Sequence, residues 1–100
     1  MAEEQVHAIV AYEVSEADAD RFLDSWERAN EFLREQPGHV STTLHRATSA
    51  NPDFRFVNVI CWESADAFRA ATQNVEFKEK SGRLEAFPIH AAVYEVVRTH

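Results

Sequence analysis

One hundred residues, 45% of them apolar and 27% charged, have the composition of one folded domain spanning 1–100, which excludes a two-domain enzyme and a disordered or fibrous chain. Seventeen acidic against ten basic side chains leave a formal charge of −7, so the chain repels polyphosphate and lacks the Lys/Arg stripe that nucleic acid or an anionic membrane surface would require. No apolar run reaches the roughly 20 residues that span a bilayer, and Met-Ala-Glu-Glu-Gln lacks the basic and apolar regions of a signal peptide; a cytoplasmic protein is expected.

Two glycines and three prolines are few breaks, so most residues must sit in regular elements with short connections. Val6, Ala8, Val10, Tyr12 and Val14 recur with a period of two and predict a first strand over 6–14. Ser15 with Asp18 marks a helix start, and Phe22, Leu23, Trp26, Ala29 and Leu33 recur at helical spacing until Pro37-Gly38, predicting a helix over 16–35 with Trp26 in the core. Its acidic residues, Glu16, Asp18, Asp20 and Asp24, read as a solvated face and as charges favourable near a helix N-terminus.

Residues 39–48 alternate weakly and 54–62 strongly, and the turn residues Ser-Ala-Asn-Pro-Asp between them predict an antiparallel hairpin. Ser64 caps a second helix that would bury Ala67, Phe68, Ala71 and Val75, followed by a further turn or two around Phe77 and Leu84. Pro88 opens a last strand over 89–97.

The order βαββαβ is that of an α+β, ferredoxin-like fold: an antiparallel sheet with both helices on one face. In the third strand Phe54, Phe56, Asn58, Ile60 and Trp62 share one face and Val57, Val59 and Cys61 the other; in the last strand Ile89, Ala91, Val93 and Val97 oppose Ala92, Tyr94 and Val96. Both faces are apolar and two helices cover only one, so a homodimer packed sheet to sheet is expected.

Glycines only at 38 and 82 exclude a phosphate-binding loop, and no GxSxG, HExxH or paired-cysteine pattern occurs. Cys61, the single cysteine, fits a small buried strand residue better than a reactive thiol, and no metal framework is present. Asn58 is the anomaly. A buried carboxamide without partners costs roughly 1–3 kcal/mol, so either the fold satisfies it or a ligand does. Trp62 is either core or an indole N–H donor aimed between sheet and helices. Among five histidines, His45 lies within the second strand and is either an ordinary strand residue or one that shares the space of Asn58; His90 is a weaker candidate on the same ground.

Residues 56–68, Phe-Val-Asn-Val-Ile-Cys-Trp-Glu-Ser-Ala-Asp-Ala-Phe, resemble the strand-to-helix segment of the antibiotic biosynthesis monooxygenase family. Gln36-Pro37-Gly38-His39-Val40 is similar to that family's turn into strand two, and Val75-Glu76-Phe77-Lys78 to its second-helix ending. The resemblance covers nearly the whole chain and implies a dimeric α/β-barrel of the ferredoxin-like type. Within the family, the anthrone monooxygenases carry Val-Asn, three residues and Trp-Glu-Ser, as Val57-Asn58 and Trp62-Glu63-Ser64 do here, and a strand-two histidine that His45 resembles. Phe68 stands where those enzymes have a tyrosine, and Lys80 and Arg83 are both displaced from their late basic residue. Haem-degrading members use an asparagine in strand one with a tryptophan and a histidine in the second helix; this chain has no asparagine before Asn30 and offers Ala71 and Ser81, which argues against haem degradation.

The resemblance therefore implies oxidation of a small aromatic, anthrone-like phenol to a quinone with dioxygen, without a metal, flavin or other cofactor. It implies Asn58 and Trp62 as hydrogen-bond donors to enolate or peroxide oxygens and His45 as proton acceptor, with Phe54, Phe56, Ile60, Phe68 and Arg83 around the substrate. The alternatives are a dimeric binding or accessory module of the same fold and a quinol or aldehyde-handling oxygenase of primary metabolism.

Overall fold

The computed structural model describes residues 4–100, apart from the side chains of Arg83 and Glu85. Strand β1 (Val6–Tyr12) leads through a 3-10 turn (Glu16–Asp18) into helix α1 (Ala19–Leu33). The hairpin β2 (His39–Arg46) and β3 (Phe56–Trp62) follows, then α2 (Ala65–Thr72), α3 (Val75–Lys80), a second 3-10 turn (Gly82–Ala86) and β4 (Ile89–Tyr94). The four strands form one antiparallel sheet in the order β2-β3-β1-β4, the ferredoxin-like βαββαβ arrangement expected from the element order.

Several element ends follow from local chemistry. Ser64 is extended and its Oγ accepts the Ala67 N–H at 3.1 Å, which starts α2; Ser15 makes no such side-chain bond, so α1 begins after the 3-10 turn. Asn74 Oδ1 accepts the Glu76 N–H at 2.8 Å and restarts the helix as α3, which turns Val75 out to solvent instead of into the core where helical spacing had placed it. Strand β4 stops at Tyr94, short of Val97, because Tyr94 pairs with His7 at the start of β1 and little of that strand remains for residues 95–97 to pair with. Gly38 has φ +88°, and a Cβ there would collide with the Ala67 side chain, so this turn needs glycine on both counts.

The core divides in two. One cluster gathers Tyr12, Val14, Phe22, Ala29, Phe56, Leu84 and Phe87; the other gathers Ala8, Phe32, Leu33, Ile60, Trp62 and Ala71. Phe22 anchors the first: its ring stacks on Phe56 at 4.6 Å and meets Tyr12 and Phe87 edge-on at 4.7 and 5.4 Å. Full burial of such a side chain contributes roughly 1.5–3 kcal/mol. Along β3 the two clusters are entered by Phe56 and Ile60, and the residue between them on that face is Asn58.

Among the described residues no helix covers the opposite face of the sheet. Pairing places His45, Val57, Ala11 and His90 in one row across it, Thr43, Val59, Ile9 and Ala92 in the next, and Ser41, Cys61, His7 and Tyr94 in the third. Cys61 is buried there, with its Sγ 3.5 Å from Gln5 Oε1, in keeping with a small strand residue. Among the described residues no helix is long and apolar enough to cross a membrane.

Candidate active site

A cavity of about 440 Å³ lies between the sheet and the helices. Its floor is formed by Ala8, Val10 and Tyr12 of β1, Asn58 and Ile60 of β3, and Ile89 and Ala91 of β4. Trp26, Ala29, Asn30 and Leu33 of α1 form one wall, and Phe68, Thr72, Phe77, Ser81, Leu84 and Phe87 the rest. The volume falls within the range of small-molecule sites, and the lining is overwhelmingly apolar with a few polar groups set into it. Ile89 remains 53% exposed, which puts the mouth on the β4 side.

Asn58 is the polar centre of this floor. It is 3% exposed, and its Oδ1 has no hydrogen-bond partner among the described residues. Strand alternation put it on this face, and the division of the core leaves open space in front of it. An unpaired carboxamide beside space of ligand size is the arrangement expected where a ligand, rather than the fold, supplies the missing bond.

The other residues singled out in the sequence divide into those at the cavity and those away from it. Ile60 and Phe68 line it. Trp62 does not: it is fully buried behind the lining, its ring edge-on to Phe68 at 6.3 Å and to His39 at 5.5 Å, with Nε1 left without a partner. Phe56 also lies outside the lining because stacking on Phe22 takes up its ring. Phe54 precedes β3, escapes its alternation and packs against His90 at 5.0 Å. The Arg83 side chain lies outside the described residues.

His45 is on the wrong face. It pairs with Val57, its Nδ1 lies 3.3 Å from the Val57 carbonyl, and Leu44 is the residue opposite Asn58. The cause is a bulge near the start of β2: His39 pairs with Trp62 and Ser41 with the adjacent Cys61, so Val40 is extra. Before the bulge, odd-numbered residues face the helices, as the His39 ring on Trp62 shows; after it they face away. His45 therefore cannot take a proton from a molecule in this cavity. His90, by the same register, belongs to the outer face, where its Nε2 meets Glu13 Oε2 at 3.2 Å.

Of the lining residues that the sequence had not assigned to the site, Trp26 and Asn30 stand out. Trp26, read as core, is only half-buried and faces the cavity. Asn30 lies one residue after Ala29 on the sheet-facing stripe of α1, and its Oδ1 is buried without a partner among the described residues. The signal that identified Asn58, a polar residue at an apolar position, was equally present there. Of the described lining side chains only Tyr12 titrates, and burial pushes its phenol up to about 12, so it stays a neutral hydroxyl. Among the described residues no three His, Cys, Asp or Glu side chains gather as a metal site.

Comparison with known proteins agrees with the fold. A structure from Shewanella loihica PV-4, a proposed monooxygenase, superposes with a TM-score of 0.85 at 28% identity, covering 99% of both chains. SnoaB, a cofactor-independent oxygenase from Streptomyces nogalater, superposes with a TM-score of 0.84 at 28% identity over 96% of each chain. A Bordetella bronchiseptica structure at 21% identity, covering 96% of this chain and 100% of that one with a TM-score of 0.77, shares the fold. No curated protein sequence matches the chain. The family model for antibiotic biosynthesis monooxygenase matches residues 5–81, taking in β1, α1, the hairpin, α2 and α3. With three of its four strands, among them the one that carries Asn58, and its three α-helices within that match, the chain belongs to the antibiotic biosynthesis monooxygenase family.

Proposed function

We propose that this protein is a cofactor-independent monooxygenase that converts a small anthrone-like phenol to a quinone with dioxygen. The observation that carries the reading is the unpaired Asn58 carboxamide on the floor of an otherwise apolar cavity of about 440 Å³. Likeness to SnoaB, described as a cofactor-independent oxygenase, supports it.

The reaction replaces a ring CH2 by C=O, consuming one dioxygen and releasing one water. An anthrone methylene is acidic because loss of its proton gives an aromatic enolate. With His45 on the far face and Tyr12 held neutral, no described lining group serves as a base. The cavity instead selects the enol or enolate formed in solvent: the Asn58 Nδ2–H donates to its oxygen, while Oδ1 accepts from a neighbouring phenol hydroxyl. The enolate passes one electron to dioxygen and the two radicals join as a peroxide anion at carbon; its outer oxygen leaves with the remaining C–H proton as hydroxide, giving the carbonyl, and the hydroxide takes up the proton lost on enolate formation to make the one water. The apolar walls keep bulk water from the peroxide. Trp62 acts at one remove, holding Phe68 against the ligand.

The reading includes a homodimer joined through the bare sheet face. Val57, Val59, Ile9, Ala11 and Ala92 make that face apolar, and a second copy is the natural cover for it. The absence of a base among the described lining residues also favours a second reading, a dimeric module that binds a phenol without turning it over. A quinol oxygenase of primary metabolism differs from the first reading only in substrate.

Oxygen uptake by metal-depleted protein given a simple anthrone separates them. The oxygenase reading predicts uptake above the spontaneous rate, with one atom of isotopically labelled dioxygen in the quinone; a bound but unoxidised anthrone points to the binding module.

A further inference from the structure

We infer that Asn30 is a second ligand-binding residue, so that the cavity selects a flat phenol with hydroxyl groups on two separated edges, one met by Asn58 and the other by Asn30. This rests on the reading of the cavity as a site for phenols. Asn30 sits in the interior of α1, where asparagine is a poor choice for the helix itself; the residue lines the cavity, and its Oδ1 is buried without a partner among the described residues. The cavity lies between sheet and α1, so the two carboxamides reach it from opposite walls.

The chemistry of the two unpaired atoms narrows the ligand. Both are carbonyl-type oxygens, which accept and do not donate; each is satisfied by an O–H or N–H and repelled by a carboxylate or a bare quinone oxygen. The lining between them is aromatic and aliphatic: Trp26, Phe68, Phe77 and Ile60 suit a rigid fused ring. A ligand with a hydroxyl at only one edge leaves one oxygen buried and unpaired, and the asymmetry of that loss gives a site its power to reject analogues.

The test measures dissociation constants by quenching of Trp26 fluorescence, using an anthraquinone with one hydroxyl on each outer ring and one with a hydroxyl on a single outer ring. Wild type is expected to favour the doubly hydroxylated probe by about five- to tenfold, the equivalent of one net hydrogen bond. In Asn30→Leu the preference is expected to fall below about twofold, with binding of the singly hydroxylated probe unchanged within about threefold. The variant should melt no lower than wild type, since an unpaired buried oxygen has been removed. An equal preference in both proteins, no binding of either probe by wild type, or a lowered melting temperature in Asn30→Leu would overturn the inference. Anthrone oxidation is followed in parallel: preference lost in the variant without any oxidation by wild type sinks the oxygenase reading alone, whereas oxidation with an unaltered preference sinks the role of Asn30 alone.

Discussion

The two faces of the sheet are built from the same apolar alternation, yet a polar residue means something different on each. On the helix side Asn58 stands between two core clusters, buried and with its Oδ1 unpaired among the described residues, so its presence carries a cost that those residues do not offset. On the outer side His45 and His90 lie on the edge strands within reach of the Val57 carbonyl and of Glu13, so each has a polar partner within the chain. Burial and unmet bonding, more than residue type, mark the candidate site; a histidine is the more familiar catalytic side chain, and here the asparagine lines the cavity.

The strongest way to break this contrast is to take the polar group off the inner face. Asn58→Leu is expected to lower quinone formation by about 10²–10³-fold, the usual loss for one preorganised group at a developing oxyanion, with a melting temperature no lower than wild type. Turnover assays beside thermal melts check it, and a destabilised variant of normal specific activity would make Asn58 structural. The outer face is probed by Val59→Lys, which puts a charge in the middle row of the bare sheet. Dimer dissociation measured by sedimentation is expected to rise about a hundredfold or more, because a buried charge without a partner is strongly disfavoured. An unchanged association constant would remove the dimer from that face.

A smaller effect is tied to pH. The Tyr12 phenol is raised from 10.0 to about 12 by burial, so below pH 10 folded and unfolded states both keep the proton and stability does not change on its account. Between those values the unfolded phenol ionises while the native one does not, so stability falls as pH rises. Urea melts across that range are expected to show this slope in wild type and less of it in Tyr12→Phe. The smallest effect sharpens the contrast from the other side: His45→Ala is expected to leave turnover within about twofold, and a large loss would place that histidine back in the reaction.

Most of the fold was legible because its signals are local. Alternation in β3, the capping Ser64 and the Pro37-Gly38 stop each state their own element, and their order leaves few topologies. The position of Asn58 was legible for the same reason, since two-residue alternation within one strand needs no partner. His45 was not, because its face depends on the bulge at Val40, and a single extra residue reverses every side chain beyond it. Phe54 and Phe56 were placed around the substrate on the strength of the resemblance, alternation setting both on the face of Asn58; at Phe54 the alternation lapses before β3 begins, and for Phe56 it gives the face and not how far along the strand the open space lies. Asn30 was legible in principle but was obscured by the apolar stripe around it, where Ala29 and Leu33 draw attention to the core.

A structure of the protein soaked with a dihydroxylated anthraquinone tests the central claim most directly. The account predicts the ring in the cavity with one of its oxygens at a hydrogen-bonding distance of about 2.7–3.2 Å from the Asn58 carboxamide. A ligand bound elsewhere, or lying in the cavity with Asn58 still unpaired, would contradict it.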